Sequence, residues 1–348
     1  MKKLKRFTAL AASLLMAGMT FTACGDTAQE NSNADTAAAG DEIAEGGNTA
    51  APDKVYNIGI CQLLEHAALD EATRGFKEAL TEKLGEENVK FDEQNAQGEA
   101  TNCATICQGF TAGDYDLILA NATGALQAAA AATDSIPIIG TSITDYATAL
   151  SADEWNGTSG VNITGTSDLA PIDEQEDMLV EMFPDVKNVG ILYCSAEPNS
   201  KYQAEMFAKA LTEDGIAYKE FTAADSNEIQ SAVTSAIAEC DVLYVPTDNT
   251  MANNAEIIKN VVVPANIPVI AGEEGICKGC GVATLSISYY DIGYKAGEMA
   301  YSILVNGTDP GSMPIEFAPN VTKMYNAEIC ETMGITPPEG YDAIAAEE

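Results

Sequence analysis

The chain states one pattern twice. Gly59 and Pro137 stand at the same separation as Gly190 and Pro268, and the segments between them follow one plan. Short apolar runs bounded by polar turns predict strands over 55–60, 89–91, 116–120 and 136–139. Helices over 68–84, 100–110 and 124–132 fall between them, the first with Ala68, Ala72, Phe76 and Leu80 on one face. The plan returns with strands over 189–193, 217–221, 241–245 and 267–270. Strands alternating with helices make parallel sheets covered by helices. Right-handed crossovers line up the C-terminal strand tips of each unit along one edge. The fold class is therefore α/β, with two Rossmann-like lobes whose strand tips face each other across a cleft.

The stretch Asp241-Val242-Leu243-Tyr244-Val245-Pro246-Thr247-Asp248-Asn249-Thr250 carries the strongest chemistry. It is an apolar strand that breaks into small polar residues before a helix starting near Met251. Strand tips of this kind border the ligand crevice of an open sheet. Asp248 is expected to project a carboxylate there, beside Thr247 and Asn249. Any one of the three could instead cap the helix.

Organisation follows from composition. Lys2, Lys3, Lys5 and Arg6 precede an apolar run over 7–17 that is too short to span a bilayer, and small residues lead on to Cys24. Residues 1–23 read as an export signal, with Phe21-Thr22-Ala23-Cys24 similar to a lipobox whose cysteine is acylated. Residues 24–53, with almost no large apolar side chain, cannot bury enough surface to order themselves and form a tether. The rest exceeds one ordinary domain. Two stretches, 160–166 and 283–290, look like connections between lobes, and a last strand over 315–325 crosses again. This assigns 54–163 plus 289–317 to lobe I and 164–288 plus 318–348 to lobe II. Few, extended crossings allow hinge motion.

The formal charge of −36 excludes nucleic acid and anionic lipid surfaces as partners. Solubility accounts for it without any acid-specific role. Cys103 and Cys107, four apart on a helix, have Cβ atoms about 6 Å apart, whereas a disulfide needs about 4 Å. Cys61 and Cys194 lie in apolar strands, where free cysteine acts as a small core residue. Cys277-Lys278-Gly279-Cys280 reads as a disulfide or half of a metal site, and with only two ligands in view no metal is assigned. No cofactor is expected.

The stretches Gln62-Leu63-Leu64-Glu65-His66-Ala67-Ala68-Leu69-Asp70, Asn95-Ala96-Gln97-Gly98, Gly165-Thr166-Ser167-Asp168, Val245-Pro246-Thr247-Asp248-Asn249-Thr250 and Ile267-Pro268-Val269-Ile270-Ala271-Gly272 extend over nearly all of the folded part. In them the chain resembles the substrate-binding lipoproteins of bacterial ABC importers, in the branch of the tryptophan-type aromatic amino-acid binders. The resemblance implies the type I periplasmic-binding-protein fold, a monomer tethered by lipid outside the membrane, and permease and ATPase subunits as partners. It also implies that Asn121, Thr123 and Gly124 hold a ligand carboxylate at a helix start, where unpaired N–H groups and a partial positive charge suit an anion. Ser142, Thr144, Asp145, Thr166, Ser167 and Asp168 add polar contacts at neighbouring tips, and Asp248 meets the ligand's cation from the other lobe. Gln62, Glu65 and His66 shape the first loop, while Ser195, Asn199, Asn249 and Glu273 complete the second lobe. Tyr193, Tyr202, Tyr289 and Tyr290 are candidates to line an aromatic pocket, and Trp155, in a polar loop, is expected outside it. Two departures are Gly124, where relatives often carry proline, and the Cys277–Cys280 pair.

An enzyme is the rival from another class. The glycine-rich phosphate fingerprint is absent after every strand, and His66 with Glu65 has no nucleophile or metal set beside it. A sugar or nucleoside ligand, or a sensory role on the same fold, are the remaining alternatives. The single α-amino-acid reading rests on one acid facing one helix start.

Overall fold

The computed structural model describes residues 54–345. The expected signal, Cys24 and the tether lie outside them. The first half runs β1 (Tyr56–Gln62), α1 (Ala67–Leu84), β2 (Val89–Asn95), α2 (Ala100–Ala112), β3 (Leu117–Asn121), α3 (Thr123–Ala132), β4 (Ile138–Ile143), α4 (Tyr146–Ala149) and β5 (Ile163–Ser167). The second runs α5 (Ile172–Met182), β6 (Asn188–Cys194), α6 (Pro198–Asp214), β7 (Ala217–Ala223), α7 (Ile229–Ile237), β8 (Val242–Val245), α8 (Asn249–Asn253), α9 (Ala255–Ala265), β9 (Val269–Ala271), α10 (Glu274–Cys280) and β10 (Ala283–Ser286). The chain then returns through α11 (Tyr289–Asn306) and β11 (Glu316–Phe317) before ending in β12 (Thr322–Tyr325), α12 (Ala327–Met333) and β13 (Asp342–Ala343).

Two sheets result, ordered β11-β5-β4-β3-β1-β2 and β13-β12-β10-β9-β8-β6-β7. All pairings are parallel except β10 with β12. The run β4-β3-β1-β2 in one sheet matches β9-β8-β6-β7 in the other, so the doubled sequence pattern is a doubled α/β unit.

The first crossing falls later than the sequence suggested. Residues 160–166 are not a connection, because β5 still pairs with β4 through Ile138 and Ile163. Likewise 283–286 is a strand paired with β9 and β12. Lobe I thus keeps its sheet to Ser167, and the crossings are residues 168–171, 287–288 and 318–321. Helix α11 also starts a turn earlier than its apolar pattern. Ser288 Oγ accepts from Asp291 N at 3.1 Å, which makes Ser288 the cap expected of Asp291.

Lobe I closes around α1 and α11, which pack backbone against backbone. A side chain at Gly75 would collide with the carbonyl of Tyr290, and one at Gly293 with that of Ala72. Phe76, Leu80, Ile58 and Ile60 fill the layer beneath, each fully buried, and such side chains contribute about 1.5–3 kcal/mol apiece. In lobe II, Phe207 and Tyr244 stack at 3.6 Å and 3°. Gln175 accepts from the Tyr244 hydroxyl at 2.6 Å and donates to Gly272 O and Leu285 O. One amide from α5 therefore ties the ends of β8, β9 and β10. The eight cysteines of the described residues are free and buried, Cys277 and Cys280 among them.

Candidate functional site

The strand tips of lobe I are braced from behind. Gln62 Nε2 donates to Leu64 O and Asp70 Oδ1, and its Oε1 accepts from the Thr73 hydroxyl at 2.6 Å. Asn121 Nδ2 donates to Leu69 O and Thr73 Oγ1. These two, expected at the ligand, spend their amide donors pinning α1 to β1 and β3.

In front of that brace the backbone is strained. Ala122 has φ 84° and ψ 158°, a region otherwise left to glycine, and Ser142 has φ 56°. They sit on adjacent tips joined by Ala122 N donating to Thr141 O at 3.0 Å. Ser142 is turned by a bulge in β4 between Gly140 and Ile143. The bulge fits around the Tyr146 hydroxyl, which donates to Thr166 O at 3.1 Å and lies where a Cβ on Gly140 or Gly165 would be. Trp155 stacks on Tyr146 and packs on the lobe I core, so it is more than the polar-loop residue its neighbours suggested.

No side chain caps α3, whose first residue is Thr123, and none caps α1, which follows His66. The buried Ser142 hydroxyl has no partner among the described residues. Lobe I therefore offers helix starts with open N–H groups and no carboxylate upon them.

Lobe II is built the opposite way. The starts of α8 and α10 are filled by its own acids, while α6 carries no side-chain cap. Asp248 accepts from Met251 N at 2.8 Å and Cys194 N at 2.6 Å. Glu197 accepts from Asn249 N, Asn249 Nδ2, Thr250 N and the Thr250 hydroxyl. Glu273 accepts from Gly275 N and Ile276 N at the head of α10. Asp248 thus takes the capping role, and its surroundings belong to lobe II alone. Burial, then Glu197, push its carboxyl up.

Asp168, on the first crossing, is held by side chains of lobe I, Tyr289 standing at the head of α11. It accepts from the Thr144 hydroxyl of lobe I at 2.9 Å and from the Tyr289 hydroxyl at 3.0 Å. Asp168, Asp248 and Glu273 are only 4, 1 and 3 % exposed. Burial raises the carboxyls of Asp168 and Glu273, and the His66 ring, from lobe I, opposes that rise at both. Asp248 feels no such partner across the gap.

Side chains of the described residues also meet across the cleft. Gln203 of α6 donates to Thr144 Oγ1 at 3.4 Å while exchanging bonds with Thr247 N and O. His66 Nε2 lies 3.2 Å from Asn249 Oδ1. Gln203 and Glu197 were not expected at the site. Ser200 and Gln203 fall on the face of α6 that also carries Ala204 and Phe207, and amides on an apolar face were the signal available.

Several expected residues serve elsewhere. Tyr193 is core, its hydroxyl on Glu220 of β7, and Tyr290 bonds Glu78 on the outer flank of α1. Tyr289 alone among the described hydrogen bonds brings a tyrosine to Asp168. Tyr202 is half-buried and close enough to Asp145 to feel its charge. Asp145 caps α4 through Thr148 N, and Ser167 bonds Thr144 O and Leu169 N at the crossing. Asn199 holds Glu197 and Thr247 O, Thr247 reaches Gly272 O, and exposed Ser195 reaches Ala223 O. Gly124 packs on Leu63. Glu65 opens on an outer groove of about 580 Å³ with Arg74, Lys77 and Glu93. The charges there pair locally, Arg74 with Glu71 and Glu78, and Lys77 with Glu93.

Two α/β lobes joined by three crossings accompany a match of residues 57–348 to the ABC transporter substrate binding protein family. The chain belongs to that family, whose members bind substrates for transporters and are not enzymes. It is similar to the tyrosine-binding protein of Clostridioides difficile strain R20291, with 37 % identity over 264 residues, 75 % of this chain and 76 % of that one. A Streptococcus pneumonia ABC domain in complex with L-Trp superposes with TM-score 0.79 at 30 % identity, covering 84 % of this chain and 100 % of the other. A ligand-free, open substrate-binding protein with adhesive properties from Clostridium difficile is 35 % identical over the same shares, with TM-score 0.65.

Proposed function

We propose that this protein captures a free aromatic α-amino acid, tyrosine or tryptophan, between its lobes and delivers it to an ABC importer. The observation that carries this reading is the segregation of charge across the cleft. Lobe I presents the uncapped starts of α1 and α3 with the unspent Ser142 hydroxyl, a setting for a carboxylate. The crossing and lobe II present Asp168 and Glu273, buried acids that lie near the His66 ring. A zwitterion fits with its carboxylate toward Thr123 and Gly124 and its ammonium toward Asp168, Glu273 supporting. Asp248 then shapes the lobe II tip instead of meeting the ammonium. The aromatic side chain is supported by the tyrosine-binding relative and the L-Trp complex.

Titration calorimetry against amino acids, sugars and nucleosides tests this. Tyrosine or tryptophan should bind and an aromatic amine lacking the carboxylate should not. Binding of a sugar or nucleoside with no amino acid bound would refute it. For delivery at the membrane, the basic start, apolar run and Cys24 support export and acylation. Cys24→Ala is expected to leave the membrane fraction or remain unprocessed. Unchanged membrane retention and processing would exclude the lipid anchor.

A further inference from the structure

We propose that His66 and Asn249 form a latch across the mouth of the cleft, which sets ligand affinity by holding the lobes together and not by touching the ligand. The two side chains belong to opposite lobes and meet at 3.2 Å between His66 Nε2 and Asn249 Oδ1. Each is prepared for the meeting by its own lobe.

Asn249 is the first residue of α8, and its amide orientation is dictated by Glu197. Asn249 Nδ2 donates to Glu197 Oε2 at 2.7 Å, and the same oxygen takes Asn249 N at 3.1 Å. A carboxylate accepts only, so the amide nitrogen must face Glu197 and the carbonyl must face lobe I. Glu197 is itself held by Thr250 and Asn199. The acceptor aimed at His66 is therefore fixed before the lobes meet.

On the other side, an acceptor at Asn249 Oδ1 requires a proton on His66 Nε2. Both the Nε2–H tautomer and the imidazolium supply it. His66 stands in extended conformation at the head of α1 and makes no cap bond there, so its ring is not spent within lobe I. Helix α1 is locked to α11 through Gly75 and Gly293. A pull on the ring is thereby a pull on the body of lobe I. The second bridge, Gln203 to Thr144, lies by Asp168. The two bridges connect the same pair of lobes at different strand tips.

The apparent dissociation constant of a cleft that must close is the intrinsic one divided by the closed fraction. A latch stabilises the closed form whatever ligand lies inside. Removing one net hydrogen bond should weaken every ligand about 3- to 10-fold. The loss should appear mainly as faster release, since opening is the step that the contact opposes.

The test measures L-tyrosine and L-tryptophan binding, by calorimetry and stopped-flow fluorescence, to wild type, His66→Ala, Asn249→Ala, the double variant and His66→Gln. Both single variants should weaken the two amino acids by the same factor. The double variant should be no worse than either, and His66→Gln, whose amide can still donate, should recover part of the loss. Losses that differ between the ligands, or that multiply in the double variant, would overturn the latch and make these residues ligand contacts. If neither amino acid binds wild type, the proposed ligand is wrong and the latch is judged by small-angle scattering alone. Ligand-free His66→Ala should then show a larger radius of gyration than wild type, and superimposable profiles would overturn it.

Discussion

Asp168→Asn separates the two roles that buried acids play in this cleft. Its carboxylate receives the Thr144 and Tyr289 hydroxyls, one on each oxygen, which leaves further lone pairs for an ammonium. Losing a charge-assisted partner in a closed site costs about 2–4 kcal/mol, or roughly 30- to 1000-fold in dissociation constant. Stability should move the other way. Burial raises this carboxyl above its usual range, so the folded protein holds its proton more tightly than the unfolded chain. The resulting stability is present at low pH and lost as pH rises through the raised value. At pH 8 the ionised group is a burden that asparagine removes. The variant should therefore lose affinity for tyrosine and tryptophan while its melting temperature holds or rises at pH 8, with no gain near pH 3. Asp248→Asn is the control, because one of its new atoms must turn an N–H toward the N–H of Met251 or Cys194. That variant should lose about 1–3 kcal/mol of stability, with the smaller effect on affinity. Calorimetry paired with thermal melts decides the matter. Full affinity in Asp168→Asn together with lost affinity in a folded Asp248→Asn would refute the assignment.

Glu176 is buried in α5, one carboxylate oxygen has no partner, and burial with Asp214, Asp177 and Asp173 pushes it up to about 7. The folded state binds the extra proton between its ordinary range and that value, so stability falls as pH rises through the window. Glu176→Gln should gain about 1–3 kcal/mol at pH 8 and nothing at pH 4, read from urea unfolding; equal gains at both would contradict the proton linkage. Gly293→Ala drives a Cβ into the Ala72 carbonyl and should cost about 3 kcal/mol, whereas a neutral result in the same assay would mean α11 can slide on α1. Saturating tyrosine or tryptophan should compact the protein in solution scattering, and an unchanged radius of gyration at saturation would count against hinge closure.

The doubled plan was legible because apolar strand runs and helix faces are local properties, and the strands fell within a residue or two of their places. The exceptions are the far ends of β2 and β4, which run on to Asn95 and Ile143. The site was legible as a set of strand tips. Its division of labour was not. Asp168, Asp248 and Glu273 are each an acid between a strand and a helix, and sequence cannot say which meets the opposite lobe. Asp248 is turned inward by Cys194 N, from a strand 54 residues earlier. Similarly, β5 looked like a connection because most of its residues are small, yet Gly165 is small to admit the Gly140 carbonyl and the Tyr146 hydroxyl. Gln203 escaped notice since Thr247 reaches it only through the packing of lobe II, and Thr144 only where the lobes meet.

The seam between α1 and α11 sets an order of events. Tyr290 bonds Glu78 across 212 residues of chain, and the glycines that let these helices touch are divided between the two ends. The lobe that is synthesised first therefore lacks its covering helix until nearly everything else has been made. Contacts so distant in sequence close late. Until α11 arrives, the flank of α1 around Gly75 remains uncovered. That delay is a form of timing: lobe I gains its covering helix only once residue 289 of 348 has been made.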